Sequence, residues 1–314
     1  MIMGSDITLD TLQPADHEAV ARLLHRSLVH WYQSRLNQGD RFGDSAEPFR
    51  LFPEVYEGLD PGQSVAARDA ATRELLGMCF IHPRETHVAV GIVATAPEAA
   101  GRGVARAMMQ RAVARARAAG QPLRLVSSLL NLDSFSLYSR LGFVPHTMFQ
   151  DCLLDVPEHG MTAPPPPGLD RVRLARADEA ARLADCEHAL QGIRREQDYA
   201  FFLRNEVGDW KVWMSEDECG EVNGVLVASH HPACGMIGPG VARDEAAGAA
   251  LLWRALDARR GSCAVFLVPC AAARVVQTVY SWGARNVELH AAQILGPIPQ
   301  ARGLVFPTFL PETA

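Results

Sequence analysis

The sequence predicts an α/β chain of the α+β type, built as two tandem copies of one fold over residues 1–158 and 170–314 with a linker over 159–169. Three observations carry this. Strand-like apolar runs alternate with amphipathic helical segments along the chain. Landmarks recur in one order: Glu74–Phe80 is echoed by Glu221–Val227 at an offset of 147, Gly103-Val104-Ala105 by Gly248-Ala249-Ala250 at 145, and Arg140-Leu141-Gly142 by Ser281-Trp282-Gly283 at 141. The strand and Asp-headed helix that open the chain return at Arg171–Ala180. Between the copies, Pro164 to Pro167 with Gly168 form a stiff, extended spacer that separates two bodies more than it packs into either.

In the first copy, Ile7-Thr8-Leu9 reads as a strand, and Pro14-Ala15-Asp16 opens a helix with Val20, Leu23, Leu24 and Leu28 at helical spacing. His30 to Gly62 is irregular and aromatic, with Trp31, Tyr32, Phe42, Phe49, Phe52 and Tyr56 among Gly, Pro and Asp breaks; these rings either cover a sheet or line a pocket. Ser64–Arg68 and Leu75–Ile81 flank a polar turn at Thr72-Arg73-Glu74 and form a hairpin. His87 to Thr95 has the apolar density of a strand covered on both faces. Gly103–Ala119 is a helix whose stripe is Val104, Met108, Ala112 and Val113, stopped by Gly120. A strand over Leu123–Ser128, a short helix over Ser134–Leu141 and a last strand over Phe149–Val156 complete the copy.

With 314 residues, each copy has enough chain for its own core. Hydrophobic content of 48% with 21% charged residues is that of an ordinary globular protein, and a net charge of −6 argues against nucleic acid or an anionic membrane as partner. No apolar run reaches the eighteen or so residues of a membrane helix, and Met1 to Asp10 lacks a basic leader region, so a cytoplasmic location is expected. The seven cysteines show no C-x-x-C spacing and the eleven histidines no ligand cluster; they read as reduced thiols and ordinary histidines, with no metal.

Chemistry concentrates at Thr95–Arg106. There an apolar strand gives way to a glycine turn and a helix begins at once. Gly101 and Gly103 let backbone approach an anion, the first-turn N–H groups of the helix point at it, and Arg102 and Arg106 add charge. Downstream stand Asn131, then Tyr138 seven residues on, then Leu141-Gly142-Phe143. This segment resembles the GNAT superfamily of acyl-CoA-dependent N-acyltransferases, whose pyrophosphate loop reads Q/R-x-x-G-x-G/A. Gly103 and Ala105 match its last two fixed positions, while Ala100 stands at the Gln/Arg position.

The resemblance implies a mixed, mostly antiparallel central sheet flanked by helices in each copy, and acetyl-CoA or another acyl-CoA as co-substrate. The loop residues Gly101, Arg102, Gly103, Val104, Ala105 and Arg106 would hold the pyrophosphate. Val93, Ala94 and Thr95 would hold the pantetheine arm through free backbone groups, with Asn131 adding hydrogen bonds. The acceptor, a small-molecule amine or amino-acid derivative, would attack the thioester directly in a ternary complex, and an N–H near Val93 would stabilise the oxyanion. Tyr138 would protonate the departing thiolate, as suits a phenol of ordinary pKa about 10. The position of the family's strand carboxylate holds Ala89, which leaves His87 as candidate base and Glu85 after it. In the second copy, letter matching puts Ala246, Ala247 and Leu251 at Gly101, Arg102 and Arg106, Val279 at Tyr138 and an alanine of Ala271–Ala273 at Asn131. One competent acyl-CoA site per chain follows, in a monomer or a homodimer. The alternative is a non-catalytic acyl-CoA-binding protein, favoured by Ala100 and Ala89.

Overall fold

The computed structural model describes residues 6–206, 208–231 and 234–308, which fall into two compact units, one divided between 6–83 and 88–123, the other between 84–87 and the described residues from 124 to 308. The first unit runs β1 (Ile7–Thr11), α1 (His17–Leu36), α2 (Leu51–Leu59), β2 (Val65–Asp69), β3 (Leu75–Pro83), β4 (Val88–Thr95) and α3 (Val104–Ala119). Its strands pair in chain order, all antiparallel. β3 and β4 are in register from Gly77↔Thr95 to Cys79↔Val93, then resume at Ile81↔Val90, so β4 carries one extra residue between Val90 and Val93. α3 lies on one face, where a Cβ at Gly77 would come within 2.8 Å of Val104 Cγ1 and 2.9 Å of Met108 Cε. α2 covers the other face, with Tyr56 stacked on Phe80 at a centroid separation of 4.0 Å.

β5 (Leu123–Ser128) leads into the second unit, which continues through α4 (Leu132–Arg140), β6 (Val144–Val156), β7 (Val172–Leu174), α5 (Ala180–Gln191), α6 (Glu196–Arg204), β8 (Trp210–Glu216), β9 (Val222–Ser229), β10 (Met236–Ala242), α7 (Glu245–Asp257), β11 (Ser262–Pro269), α8 (Ala273–Ser281), β12 (Arg285–Leu295) and β13 (Leu304–Phe306). Its strand order is β5-β12-β6-β11-β10-β9-β8-β7, with β13 added to β10.

The duplication is written in the backbone register. In β9–β10 the pairs Gly224↔Ala242, Val225↔Val241, Leu226↔Gly240 and Ala228↔Ile237 reproduce those of β3–β4, each residue displaced by 147 and with the same irregularity. The last strands are exchanged between copies. β6 ends the first copy, yet it pairs antiparallel with β11 from Ser262↔Val156 to Pro269↔Phe149, and its other edge takes β12. β12, the last long strand of the second copy, lies beside β5.

The stretch expected to be a spacer packs instead. Trp253 donates from Nε1 to the Ala163 carbonyl at 3.2 Å, the Met161 N–H donates to Asp257 at 3.0 Å, and Arg254 reaches the Leu169 carbonyl at 3.3 Å. The prolines stiffen this segment, while α7 supplies donors and acceptors for the carbonyls and N–H groups around them. The aromatic stretch expected to be irregular contains the end of α1 and all of α2, where Leu51, Val55 and Tyr56 turn inward around Pro53 near the helix start.

Candidate active site

Between β4 and α3 the first unit makes an open, anion-accepting turn. Gly101 (φ +77) and Gly103 (φ +83) adopt the left-handed conformation that L side chains resist. No other atom lies within 4 Å of the Cβ position of either, so the space above the turn is clear. The Ala107 N–H donates to the Gly103 carbonyl at 3.0 Å, and the N–H groups of Val104, Ala105 and Arg106 precede that first helical bond. This geometry fits a pyrophosphate. Arg106 is exposed on the first turn, but Arg102 is already engaged, with Nη2 3.1 Å from Asp69 Oδ2. The Asp69 carboxyl is held below its ordinary range by the Thr72 N–H first and by the Arg102 guanidinium next. Val93, Ala94 and Thr95 follow the extra residue of β4, with Ala94 buried and its two neighbours half-buried.

The same unit contains a group not anticipated from the sequence. His82 on β3 is fully buried and opposes Ala89 in register. Its Nδ1 hydrogen-bonds the Asp60 carboxylate at the end of α2. Its ring stacks on Tyr56 at 4.7 Å, and a Cβ at Gly91 would overlap the Tyr56 ring. The strict alternation of Phe80 and His82 on one strand face was the available signal.

The remaining predicted residues lie in the second unit. Asn131 is the N-cap of α4, its Oδ1 accepting the Ser134 N–H at 3.1 Å. Tyr138 is 8% exposed and tilts against Phe143 at 5.9 Å. His87 sits in the turn before β4, 0% exposed, with Nδ1 3.1 Å from Thr86 Oγ1. That turn is fastened by Arg84–Asp198 at 2.6 Å, Arg194–Glu85 at 2.8 Å and the Arg194 N–H to Thr86 Oγ1 at 2.9 Å. Glu85 is therefore committed to an ion pair. Beyond the end of β5, Asp151, Glu288 and His290 bring three ligand-capable atoms within 4.8 Å of one another, and burial pushes His290 down to about 4, so its ring is neutral near pH 7.

Residues 25–143, which contain the glycine turn, Asn131 and Tyr138, match the acetyltransferase (GNAT) family. Over this stretch the chain is similar to a GNAT domain. Solved structures share the fold of the whole chain at low identity. They include a candidate acetyltransferase from Pyrococcus horikoshii (14% identical, TM-score 0.72, covering 97% of this chain and 96% of that one). A GCN5-related N-acetyltransferase from Sphaerobacter thermophilus is 15% identical, with TM-score 0.63 and coverage of 95% and 98%. A tandem GNAT protein from the clavulanic acid biosynthesis pathway is 15% identical, with TM-score 0.58 and coverage of 93% and 99%. No protein of curated function matches the sequence.

The second GNAT-like copy lacks the cradle for a definite structural reason. Gly224 meets Leu251 as Gly77 meets Val104, which fixes the offset at 147 here and corrects the letter-matched offset of 145. Gly101 and Gly103 then correspond to Gly248 and Ala250, and Arg106 to Trp253. Because α7 begins at Glu245, these positions lie inside a helix. Asp244 caps α7 by accepting the Ala247 N–H at 2.9 Å, and Glu245 accepts the Arg274 and Val275 N–H groups of α8 at 2.7 and 2.9 Å. Val279 does take the place of Tyr138: its carbonyl accepts the Ala284 N–H as that of Tyr138 accepts the Phe143 N–H. Ala272 takes the place of Asn131 as N-cap. Among the described residues, no helix is long and apolar enough to cross a membrane.

Proposed function

We propose that the chain is an N-acyltransferase that moves an acyl group, acetyl in the first instance, from acyl-CoA to the amine of a small molecule or amino-acid derivative. The open two-glycine turn at the N-terminus of α3, inside the stretch similar to a GNAT domain, carries the reading. In the reaction the amine nitrogen attacks the thioester carbonyl, a C–N bond forms and the C–S bond breaks. Tyr138 gives its phenolic proton to the departing sulfur, and the amine proton passes to a base. His87 is the base suggested by the sequence. The buried His82–Asp60 pair supports a second reading, since a carboxylate on Nδ1 fixes the tautomer that leaves Nε2 to accept a proton.

Thiol release with a panel of amines tests this. Tyr138→Phe should lower kcat by about 100-fold or more while acyl-CoA affinity is kept. Unchanged turnover in that variant would remove the proton donor, and tight acyl-CoA binding without transfer to any amine would establish the binding-protein alternative. Of His87→Asn and His82→Asn, the variant that abolishes the acid limb of the kcat/KM profile identifies the base.

A further inference from the structure

β10 pairs with β11 in parallel only at Met236↔Val265 and Ile237↔Phe266. Beyond Ile237 the next partner of β10 is β13, antiparallel, at Gly240↔Phe306, Val241↔Val305 and Ala242↔Leu304. By the 147-residue register, Gly240, Val241 and Ala242 are the counterparts of Val93, Ala94 and Thr95. Three glycines allow the close approach, Gly238 and Gly248 in the slot and Gly303 on the incoming chain. A Cβ at Gly238 would lie 2.7 Å from the Pro307 carbonyl oxygen and 3.0 Å from Thr308 Cβ; one at Gly248 would lie 3.0 Å from Phe306 Cζ; one at Gly303 would overlap the Ala242 carbonyl. Phe306 is 1% exposed and belongs to the same core cluster as Leu251, Phe266 and Val268. The Arg302 N–H donates to the Leu190 carbonyl at the entrance.

We propose that the second copy is a peptide-strand site: the slot where β10 leaves β11 binds an extended apolar segment by strand addition, and its resident occupant is Gly303–Thr308 of the same chain, anchored by Phe306. The chemistry is that of β-augmentation. Main-chain groups of Gly240–Ala242 recognise any extended backbone, and a pocket floored by Gly248 selects a large aromatic side chain. The site is unsuited to a pyrophosphate, because α7 starts early and the nearby helix N-termini already hold the carboxylates of Asp244 and Glu245. The inference concerns the second copy alone and does not depend on acyl transfer by the first.

The test uses the chain truncated after Arg302 and a synthetic peptide Gly-Leu-Val-Phe-Pro-Thr, with binding followed by calorimetry. The truncated chain should bind one peptide, the full chain none, and the peptide carrying Phe306→Ala should bind at least about tenfold more weakly, the loss expected for an anchoring aromatic. Acyl-CoA should bind with the same stoichiometry before and after truncation. A folded truncated chain that ignores the peptide, equal binding of both peptides, or a second acyl-CoA bound after truncation would each overturn the proposal. Should the truncated chain not fold, Leu304→Pro in the full chain gives the answer by hydrogen exchange, because Leu304 faces Ala242 across the ladder. The amides of Gly240 and Ala242 should lose at least about tenfold protection while those of Val225 and Val241, which face each other across β9–β10, keep theirs, because proline removes a donor and resists pairing. Unchanged protection at Gly240 and Ala242 refutes the slot.

Discussion

Gly103→Ala and Gly120→Ala form a matched pair that isolates the ligand role of the turn from its backbone cost. Both glycines flank α3 in the left-handed region, at φ +83 and +64, and neither has another atom within 4 Å of its Cβ position. Each alanine therefore incurs the left-handed penalty of about 1–2 kcal/mol and no steric term from the protein. For a cooperative body of this size that is roughly 2–8 °C in Tm, similar for both variants. The two sites differ in what stands above them. Gly103 is the N-cap of α3, next to the first-turn N–H groups, whereas Gly120 closes the far end of the helix, where its N–H donates to the Ala116 and Arg117 carbonyls. Gly103→Ala should raise the KM for acyl-CoA about tenfold, the loss of one well-made phosphate contact, and Gly120→Ala should leave it unchanged. Thermal unfolding and thiol release on the same preparations provide the comparison. An equal KM for both variants would refute the cradle.

The two arginines of the loop should not behave alike. Arg106→Ala should raise the acyl-CoA KM severalfold in a salt-dependent way, while Arg102→Ala should act mainly by freeing Asp69; a larger KM effect for Arg102 would reverse the assignment. Glu179, almost fully buried at the head of α5, accepts from Arg173, the Arg176 N–H and Arg182, and its carboxyl is lowered from 4.5 to about 2, chiefly by Arg173. A depressed carboxyl stabilises the fold above its unfolded pKa, and the contribution is lost as pH falls through the folded value. The shift corresponds to at most about 3 kcal/mol, less after screening because the arginines are partly in water. Glu179→Gln should therefore lower Tm at pH 7, with the gap to the parent chain closing between about pH 4.5 and 2; a pH-independent gap would sink the argument.

Where the chain punctuates itself, the sequence was legible. Gly101, Gly103 and Gly120 bracket α3 because only glycine takes those dihedrals freely, and Asn131 and Tyr138 keep their spacing on α4. α2 was hidden because Pro53 and Gly58 interrupt nine residues, although Leu51, Val55 and Tyr56 fall on one inward face. The exchange of β6 could not be read at all. Period-two alternation tells which face of a strand is buried but not which strand lies beside it. The two-residue error in aligning the copies has the same root. Gly-Val-Ala and Gly-Ala-Ala match as letters, whereas the register is set by a glycine on the strand beneath a helix residue, Gly77 under Val104 and Gly224 under Leu251.

The closed form of the second copy's turn follows from the same physics that leaves the first one open. A helix N-terminus exposes N–H groups and a diverging strand exposes a row of donors and acceptors, and neither can be buried unsatisfied. A copy without an anion at this place must therefore draw partners for these groups from the chain. Asp244 and Glu245 supply carboxylates to the helix N-termini, α7 extends through the positions of the glycine turn, and β13 pairs with the strand segment that β11 leaves. These changes satisfy groups whose counterparts in the first copy stand at an open glycine turn. Filling the slot with Phe306 also adds apolar burial to the core around Leu251 and Phe266, so the second copy gains stability where the first keeps an open turn.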